Sequence, residues 1–465
     1  MRALFARLTP AQRGPTRAAL APLAPALLAV ATCAAPLRAG PAEEAAVGLL
    51  ERSGTPAEAA RAWADAKLDP DQAWKLVREL PPLGDAPTAD HEVTLRDAHR
   101  RETDLQVLLP PDGPDERGKY GVVILLHGLG GDSKQGLGIG RSFVPPHTIL
   151  IAPSAKEPPA DAGYEDLRTA GAAGIPVMKR FKHWWSYRED AFPLLGLDHV
   201  KRRWPIDTNR VLLIGYSMGG FGTWNLGLRY HDLFAALLPM AGGISREEFF
   251  LGKDELVRQL LDNARGLPLF FVHGDQDEVV PVRFDQASRD DLEKRQIPFI
   301  YEEVKGGKHK LTEVLDPTHA MVKQLKAFVD AQVRDPHPRR VVHRSIGAYH
   351  PGAFWVRIDG RSGAASAVVA EVVKKNAIAV ETRGVTRLTL FLDPQLVDPD
   401  KRLQVVVDGK PAFKGKVKPS LEAVAESYAR THDPELTYRH MLTLDVEART
   451  EAPGEADGSW LKPRR

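Results

Sequence analysis

Short apolar runs that alternate with helix-length segments between residues 121 and 306 constrain the fold of this chain most strongly. Each run is apolar on both faces, as expected for a strand covered by helices on both sides of a sheet. The alternation predicts an α/β fold with a doubly wound, mostly parallel sheet. Two strand-like runs, HEVTLRD and TDLQVLLP, precede the first of them. The apolar runs are 121–128, 148–154, 210–217, 235–243, 267–274 and 298–306.

The composition changes along the 465 residues, which are more than one average domain requires. A helical stretch rich in Ala, Glu and Arg precedes the α/β region, and short β runs follow the linker DPHPRR. These β runs predict a small all-β, sandwich-like module. The predicted segments are a leader (1–40), a helical N-terminal segment (41–89), an α/β domain that bears the catalytic motifs (90–334), a C-terminal β module (341–418), and a helix with a polar tail (419–465).

The leader favours export. No acidic residue occurs before Glu43, and the apolar stretch Ala18–Ala31 is too short to span a bilayer comfortably. Ala29-Val30-Ala31 provides an A-x-A cleavage site, and Cys33 follows it closely. We therefore expect a periplasmic or secreted protein. A cleaved signal peptide, a lipid anchor on Cys33 and an uncleaved leader remain open as alternatives.

Charge and cysteine content exclude several classes of protein. The net charge is +2 at neutral pH, and no nucleic-acid-binding signature occurs, so we do not expect a nucleic-acid partner. One cysteine, Cys33, excludes an internal disulfide and a CxxC zinc site. The sequence predicts no metal, no cofactor and no membrane span after the leader, and it does not indicate an oligomeric state.

The motif Gly215-Tyr216-Ser217-Met218-Gly219 is a G-x-S-x-G sequence between an apolar strand run and a stretch that can form a helix. This context predicts a sharp turn that presents Ser217 as a nucleophile. A turn of this kind holds the serine in strained backbone geometry and needs small neighbours. An ordinary glycine-rich loop is the alternative.

A serine nucleophile requires a base and an acid that orients the base. In a fold of this kind the chain order is serine, acid, histidine. The loop HGDQDEVVP offers Asp277 as the acid, and FIYEEVKGGKHKL offers His309 as the base. Asp275 or Glu278 as the acid remains an alternative, and His273 is interpreted as a packed core histidine.

Two loops are predicted to bind the carbonyl group that the serine attacks. The backbone N–H groups of Met218, directly after the nucleophile, and of Leu129, in the loop LLHGLGGD, are the predicted oxyanion donors. A plain glycine turn is the alternative for the second loop. The same loops assign His127, Gly128 and Tyr216 to substrate binding.

An insertion at 153–190 follows one sheet strand and precedes the strand that leads to the nucleophile. We assign Trp184 and Trp185 to substrate binding, because an overhanging insertion can place aromatic rings in the pocket. The alternative is that these tryptophans only pack the loop down. The aromatic residues of this insertion that could line the pocket are Phe181, His183, Trp184, Trp185 and Tyr187.

The ordered motifs HGLGGD, GYSMGG, HGDQDEVVP and GGKH resemble those of the α/β-hydrolase superfamily over roughly residues 90–332. The resemblance is strongest to phospholipase/carboxylesterases, acyl-thioesterase-like enzymes, feruloyl esterases and polyhydroxybutyrate-depolymerase-like esterases. It implies that Asp277, the second aspartate of its loop, is the acid, and that hydrolysis is metal-free and passes through an acyl-enzyme. The stretch around the nucleophile is also similar to the catalytic domain of prolyl oligopeptidases.

Three functions are compatible with these motifs. The leading hypothesis is a serine hydrolase that cleaves carboxylic esters of small molecules or polymers. The second is a serine peptidase of the prolyl oligopeptidase kind, although too few residues precede the α/β domain for a propeller. The third is a non-catalytic binding protein that acts through the β module. Its aromatic residues Tyr349, Phe354 and Trp355 would then be exposed, whereas a purely stabilising module would pack against the α/β domain.

Overall fold

A computed structural model of the chain describes residues 40–51, 53–80, 84–97, 100–156, 184, 192–244, 255–346 and 350–449. The leader with Cys33 and most of the insertion at 153–190 lie outside these residues. The described helices are α1 (Pro41–Leu50), α2 (Pro56–Asp65), α3 (Pro70–Arg78), α4 (Leu137–Phe143), α5 (Phe192–Lys201), α6 (Met218–Arg229), α7 (Glu255–Gln259), α8 (Arg283–Arg295), α9 (Leu311–Val314), α10 (Ala320–Ala331) and α11 (Leu421–Thr431).

The described strands fall into a group that precedes the linker and a group that follows it. The first group is β1 (His91–Arg96), β2 (Glu102–Leu108), β3 (Tyr120–Leu126), β4 (Thr148–Pro153), β5 (Ile206–Tyr216), β6 (Ala236–Met240), β7 (Phe270–Gly274) and β8 (Ile300–Val304). The second group is β9 (Arg340–Ile346), β10 (Gly352–Ala353), β11 (Val356–Arg361), β12 (Ala365–Lys374), β13 (Ala377–Arg383), β14 (Val385–Leu392), β15 (Leu403–Val407), β16 (Lys410–Gly415) and β17 (His440–Asp445).

The first group of described strands forms one sheet with the order β1-β2-β4-β3-β5-β6-β7-β8. β1 and β2 pair antiparallel with each other, and β2 pairs antiparallel with β4. The remaining neighbours pair parallel. The predicted α/β fold with a mostly parallel sheet is therefore confirmed.

Both faces of the sheet are covered, which explains why its strands are apolar on both sides. Along β3, Val122, Ile124 and Leu126 lie in one buried cluster together with side chains of α5, α6 and α8. Val123 and Leu125, which point to the opposite face, lie in a second cluster with side chains of α4, α9 and α10. The alternation of neighbouring residues between two cores is the doubly wound arrangement predicted from the sequence.

The second group of strands forms two further sheets within the described residues, β10-β11-β14-β17 and β16-β15-β13-β12-β9. Both sheets contribute side chains to one buried cluster, in agreement with an all-β module. β17 pairs with β14 although it lies in the segment predicted as a helix and polar tail. The prediction for this segment therefore missed a strand, because a single six-residue strand is recognisable only when the strand that it pairs with is known.

The N-terminal helices pack against the C-terminal helix α11. Trp63 of α2 is fully buried in a cluster that also contains Val424 and Tyr428 of α11. On α3, the Trp74 indole N–H donates a hydrogen bond to the Thr437 carbonyl over 2.9 Å. The helical segment predicted at 41–89 thus lies against the C-terminal part of the chain.

The β module contacts the α/β domain through buried polar groups. Asn263 donates to the Arg344 carbonyl over 2.9 Å and accepts from the Arg344 N–H over 2.7 Å. On α11, which follows the module, Arg430 pairs with Asp232 over 2.7 Å. The hypothesis that Trp355 is an exposed binding residue is wrong: its side chain is 0% exposed, and its indole N–H donates to the Pro338 carbonyl. Tyr349 lies outside the described residues.

Arg334, directly after α10, joins two distant parts of the chain. Its side chain is 3% exposed and donates to Asp433 over 2.7 Å and to Asn209 over 2.7 Å. Thr208 donates to the other oxygen of the same carboxylate. Burial opposes ionisation of Asp433, but the positive charges of Arg334 and Lys201 lower its pKa to about 2. The carboxylate therefore stabilises the fold above about pH 4, and this contribution is lost as the pH falls toward 2.

The substitution Arg334→Met is expected to lower the free energy of unfolding by about 3–5 kcal/mol, because it leaves a buried carboxylate without its cation. Urea denaturation at pH 7 measures this loss. The double variant R334M/D433N removes the buried charge as well and is expected to recover part of the lost stability. A loss below about 1 kcal/mol in R334M would contradict the assignment of this pair as a structural tie.

Candidate active site

The residues predicted to react lie in the loops that follow the carboxyl ends of β3, β5, β7 and β8. In a parallel sheet these ends lie at one edge, which is where open α/β sheets place their ligands. The loops after β7 and β8 are also tied directly to each other. The N–H of Asp275 donates to the Val304 carbonyl over 3.1 Å, and the carboxylate of Asp275 accepts from the Gly306 N–H over 2.6 Å.

Ser217 occupies the turn between β5 and α6 in strained backbone geometry. Its φ and ψ angles are 57° and −119°, a combination that residues other than glycine seldom adopt. The N–H of Ser217 donates to the Met240 carbonyl on β6 over 2.8 Å. This bond anchors the turn to the sheet.

Two glycines of the motif permit strand and helix to approach closely. A β-carbon added to Gly215 would lie 2.1 Å from the Gly219 carbonyl oxygen. A β-carbon added to Gly219 would lie 2.0 Å from the Leu126 carbonyl oxygen on β3. Neither distance is sterically possible, so the sequence requirement for small residues on both sides of the serine has a direct structural cause.

Ser217, His309 and Asp277 form a continuous hydrogen-bonded chain. The Ser217 hydroxyl lies 2.9 Å from His309 Nε2, and His309 Nδ1 lies 2.6 Å from Asp277 Oδ2. Because an ionised carboxylate only accepts, the proton on this side of the ring belongs on Nδ1. Nε2 then carries the lone pair that accepts the serine hydroxyl proton. This is the tautomer that a general base next to a nucleophilic serine requires.

The surroundings of Asp277 keep its carboxylate charged. Burial opposes ionisation, but hydrogen bonds from His273, His309 and the Val280 N–H lower the pKa of Asp277 well below its usual range. Its other oxygen, Oδ1, accepts from the N–H groups of Val279 and Val280 over 2.9 and 2.8 Å. Asp275 and Glu278, the alternative acids, are exposed. Of these carboxylates, the structure brings Asp277 to the histidine.

In the loop after β3, the backbone N–H of Gly128 already has a hydrogen-bond acceptor. The side chain of Gln135 accepts a hydrogen bond from the Gly128 N–H over 2.8 Å. The His127 ring accepts from the Ala155 N–H through Nε2, so its Nδ1–H donates to the Gly128 carbonyl over 2.7 Å. These bonds fix the loop from both sides.

Of the predicted oxyanion donors, Met218 directly follows the nucleophile, and Leu129 lies in the loop after β3, the strand beside β5 in the sheet. Among the described residues, no group accepts a hydrogen bond from the N–H of Met218 or of Leu129. Met218 begins α6, so its N–H is one of those that lack an intrahelical partner. The assignment of these two N–H groups as an oxyanion site remains a prediction.

The residues assigned to substrate binding lie at different depths. The Tyr216 ring packs against the His309 ring, with centroids 5.1 Å apart. Burial raises the pKa of the Tyr216 hydroxyl, and the negative charges of Asp277 and Glu313 raise it further. Trp184 is buried, and its indole N–H donates to the His127 carbonyl over 2.9 Å. Trp185 lies outside the described residues. Direct contact of these side chains with substrate stays a prediction.

Among the described residues, no group of three or more His, Cys, Asp and Glu side chains is arranged to hold a metal ion. None of the described helices is both long and apolar enough to cross a membrane.

Sequence reasoning did not find two features of the site, the role of Gln135 and the carboxylates beside His273. Gln135 has no motif that marks it, since its role depends on a loop that folds back toward Gly128. Asp285 on α8 accepts from His273 Nδ1 over 2.8 Å. His273 itself was interpreted as a packed core histidine, which its full burial supports, but its two carboxylate neighbours were not anticipated. Hydrogen bonds between separate loops leave no trace in local spacing.

Comparison with known proteins finds a family model that matches part of this chain. Residues 97–316 match the family model described as "Esterase: Putative esterase". This match confirms the resemblance to α/β-hydrolase esterases that the motifs indicated, and it supports the prediction of a carboxylic ester hydrolase. The family model covers β2 to β8 and includes the nucleophile, acid and base positions.

Individual curated proteins match the chain over short stretches. A protein of Arthroderma benhamiae described as an uncharacterized secreted protein is 28% identical over 160 residues, 30% of this chain and 17% of that protein. A bifunctional acetylxylan esterase/xylanase of Neocallimastix patriciarum is 32% identical over 88 residues, 18% of this chain and 11% of that enzyme. The matched stretches thus span only a small part of either curated relative. A solved thermostable esterase aligns over 53% of this chain and 63% of its own at 24% identity, with a TM-score of 0.36.

Proposed function

We propose that the protein is a serine esterase that hydrolyses carboxylic esters through an acyl-enzyme on Ser217. The observation that carries this proposal is the hydrogen-bonded chain from the Ser217 hydroxyl through His309 to Asp277, with distances of 2.9 and 2.6 Å. The position of Ser217 on a strained turn after a parallel strand also supports the proposal, because such a turn exposes the serine to an incoming carbonyl group.

In the first half-reaction, the Ser217 oxygen attacks the ester carbonyl carbon while its proton passes to His309 Nε2. The N–H groups of Met218 and Leu129 stabilise the negative charge that develops on the carbonyl oxygen. Asp277 stabilises the imidazolium that forms. His309 then returns the proton to the alkoxide oxygen as the C–O bond breaks, and the alcohol leaves.

The second half-reaction repeats these steps with water. His309 takes a proton from a water molecule that attacks the acyl carbon, and the second tetrahedral intermediate collapses. The bond to the Ser217 oxygen breaks, the serine regains its proton from His309, and the carboxylic acid leaves. No group outside the chain and water is required by this scheme.

The substrate class we propose is esters of modest acyl groups on small molecules or polysaccharides. Leu129 and Val279, in the loops on either side of the triad, are 50% and 53% exposed and offer apolar contact to an acyl group. The partial similarity to an acetylxylan esterase/xylanase favours short acyl groups on a polysaccharide. A partial relative described as secreted and the leader composition together favour an exported protein.

A direct comparison of ester and amide substrates tests the reaction class. Purified protein that lacks residues 1–39 is expected to hydrolyse p-nitrophenyl acetate and butyrate with saturation kinetics, and to cleave peptide p-nitroanilides far more slowly. The inactive variant S217A provides the background rate for both substrates. Efficient anilide cleavage with little ester turnover would replace the esterase proposal with a peptidase.

A further inference from the structure

His273, at the end of β7, is placed between two carboxylates in the protein interior. Its side chain is fully buried, with Nδ1 2.8 Å from Asp285 Oδ2 and Nε2 2.8 Å from the Val280 carbonyl oxygen. Nε2 also lies 3.5 Å from Asp277 Oδ2. A carbonyl oxygen only accepts, so Nε2 carries a proton. Asp285 Oδ2 also accepts from the Gly242 N–H over 3.3 Å, and the same oxygen as acceptor toward Nδ1 places a second proton on that nitrogen.

The same carboxylate oxygen of Asp277 serves His273 and His309. Oδ2 lies 2.6 Å from His309 Nδ1 and 3.5 Å from His273 Nε2. The ring of the proposed base and the ring of the buried histidine therefore face each other across a single negatively charged oxygen. Neither ring can change its charge without affecting the other through Asp277.

We propose that His273 is a positioning residue for the proposed esterase reaction: as an imidazolium paired with Asp285, it holds Asp277 ionised and aligned with His309. This inference rests on the proposed function of the Ser217 site. His273 does not touch the reacting atoms. It acts through Asp277, whose carboxylate must stay charged to orient the base and to stabilise the imidazolium in the transition state.

The charged groups around His273 agree with this role. Within the described structure, Asp277 in the loop after β7 and Asp285 on α8 are the carboxylates beside His273. His309 lies on the far side of Asp277, and Glu303 on β8 is the register partner of His273. Burial by itself lowers the pKa of His273, but hydrogen bonds to Asp277 and Asp285 raise it to about 10. This direction agrees with a positively charged ring at neutral pH.

A positive charge on this side of Asp277 has a kinetic consequence. Two imidazolium rings on the same carboxylate oxygen repel each other, so His273 disfavours protonation of the base and extends activity to lower pH. A purely structural role would produce a different result. It would change stability and the size of kcat without moving the acid limb of the pH profile.

The test is the pH dependence of kcat/KM for p-nitrophenyl acetate in three proteins: wild type, H273Q and H273Q/D285N. In H273Q we expect the acid limb to move to higher pH by about one unit, because the repelling cation is gone and Asp285 is uncompensated. In the double variant the uncompensated charge is removed as well, and we expect the limb to move back toward its wild-type position. An acid limb that stays in place in H273Q would overturn the proposal.

A second measurement does not depend on the stability of the H273 variants. In S217A protein labelled with ¹⁵N-histidine, the two ring nitrogens of His273 are expected to be protonated between pH 6 and 8. A neutral His273 ring in this range would overturn the proposal. The failure of the esterase proposal is distinguishable, because it would appear as unchanged ester turnover in S217A, whatever the charge of His273.

Discussion

Replacement of Ser217 by alanine is expected to reduce kcat/KM for p-nitrophenyl acetate by about 10⁶-fold, to the level set by binding and the oxyanion donors alone. The substitution removes the only atom that attacks the ester in the proposed scheme. His309 and Asp277 stay in place but have no nucleophile to activate. Their combined contribution is lost together with the hydroxyl, because the members of such a chain act as a unit.

The fold of S217A should be preserved, which makes the loss interpretable. The positive φ angle of 57° strains alanine about as much as serine, and the anchoring bond from the backbone N–H to Met240 remains. Ser366 in β12 offers a matched control, since it is also buried and its hydroxyl has no partner among the described residues. S366A is expected to retain wild-type turnover. Ester turnover by S217A within tenfold of wild type would refute the acyl-enzyme scheme.

The substitution Asp277→Asn is expected to lower kcat by about 10⁴-fold with little change in KM. An asparagine amide can present its NH₂ group to His309 Nδ1, which places the ring proton on Nε2 instead. In that tautomer the ring cannot accept the serine proton. The imidazolium formed in the transition state also loses its neighbouring negative charge. Steady-state kinetics at saturating ester measure the effect.

Asp275 in the same loop supplies the control for this experiment. It was an alternative acid on sequence grounds, yet it is exposed and its carboxylate accepts from the Gly306 N–H rather than from His309. An asparagine at this position keeps an oxygen that can accept the same bond, so D275N is expected to lose less than about tenfold in kcat. A larger loss of kcat in D275N than in D277N would show that the acid is Asp275 and not Asp277.

The central sheet was predictable because its signal is local. Runs such as 121–128 and 210–217 are apolar on both faces, and this property arises only when helices cover both sides of a strand. The meeting of Ser217, Asp277 and His309 was predictable for a related reason: each lies in a loop that follows a strand, and parallel strands bring their ends to one edge. Each motif thus specified both a residue type and a position.

The features that escaped prediction depend on contacts between distant parts of the chain. β17 becomes a strand through its pairing with β14, and α11 is buried through the N-terminal helices. The structural role of Arg334 depends on its hydrogen bonds to Asn209 and Asp433, which are distant from it in sequence. Periodicity and spacing describe a residue and its neighbours in sequence. They contain no information about which surface a short helix or strand will meet.

Reaction with a fluorophosphonate probe tests the central claim most directly, because only an activated serine is phosphonylated at an appreciable rate. Protein lacking residues 1–39 is incubated with the probe, and the modified peptide is mapped by mass spectrometry. We expect one adduct, on Ser217, that is lost in His309→Ala and retained in S366A. Folded protein without an adduct on Ser217, or with equal labelling in H309A, would contradict the account.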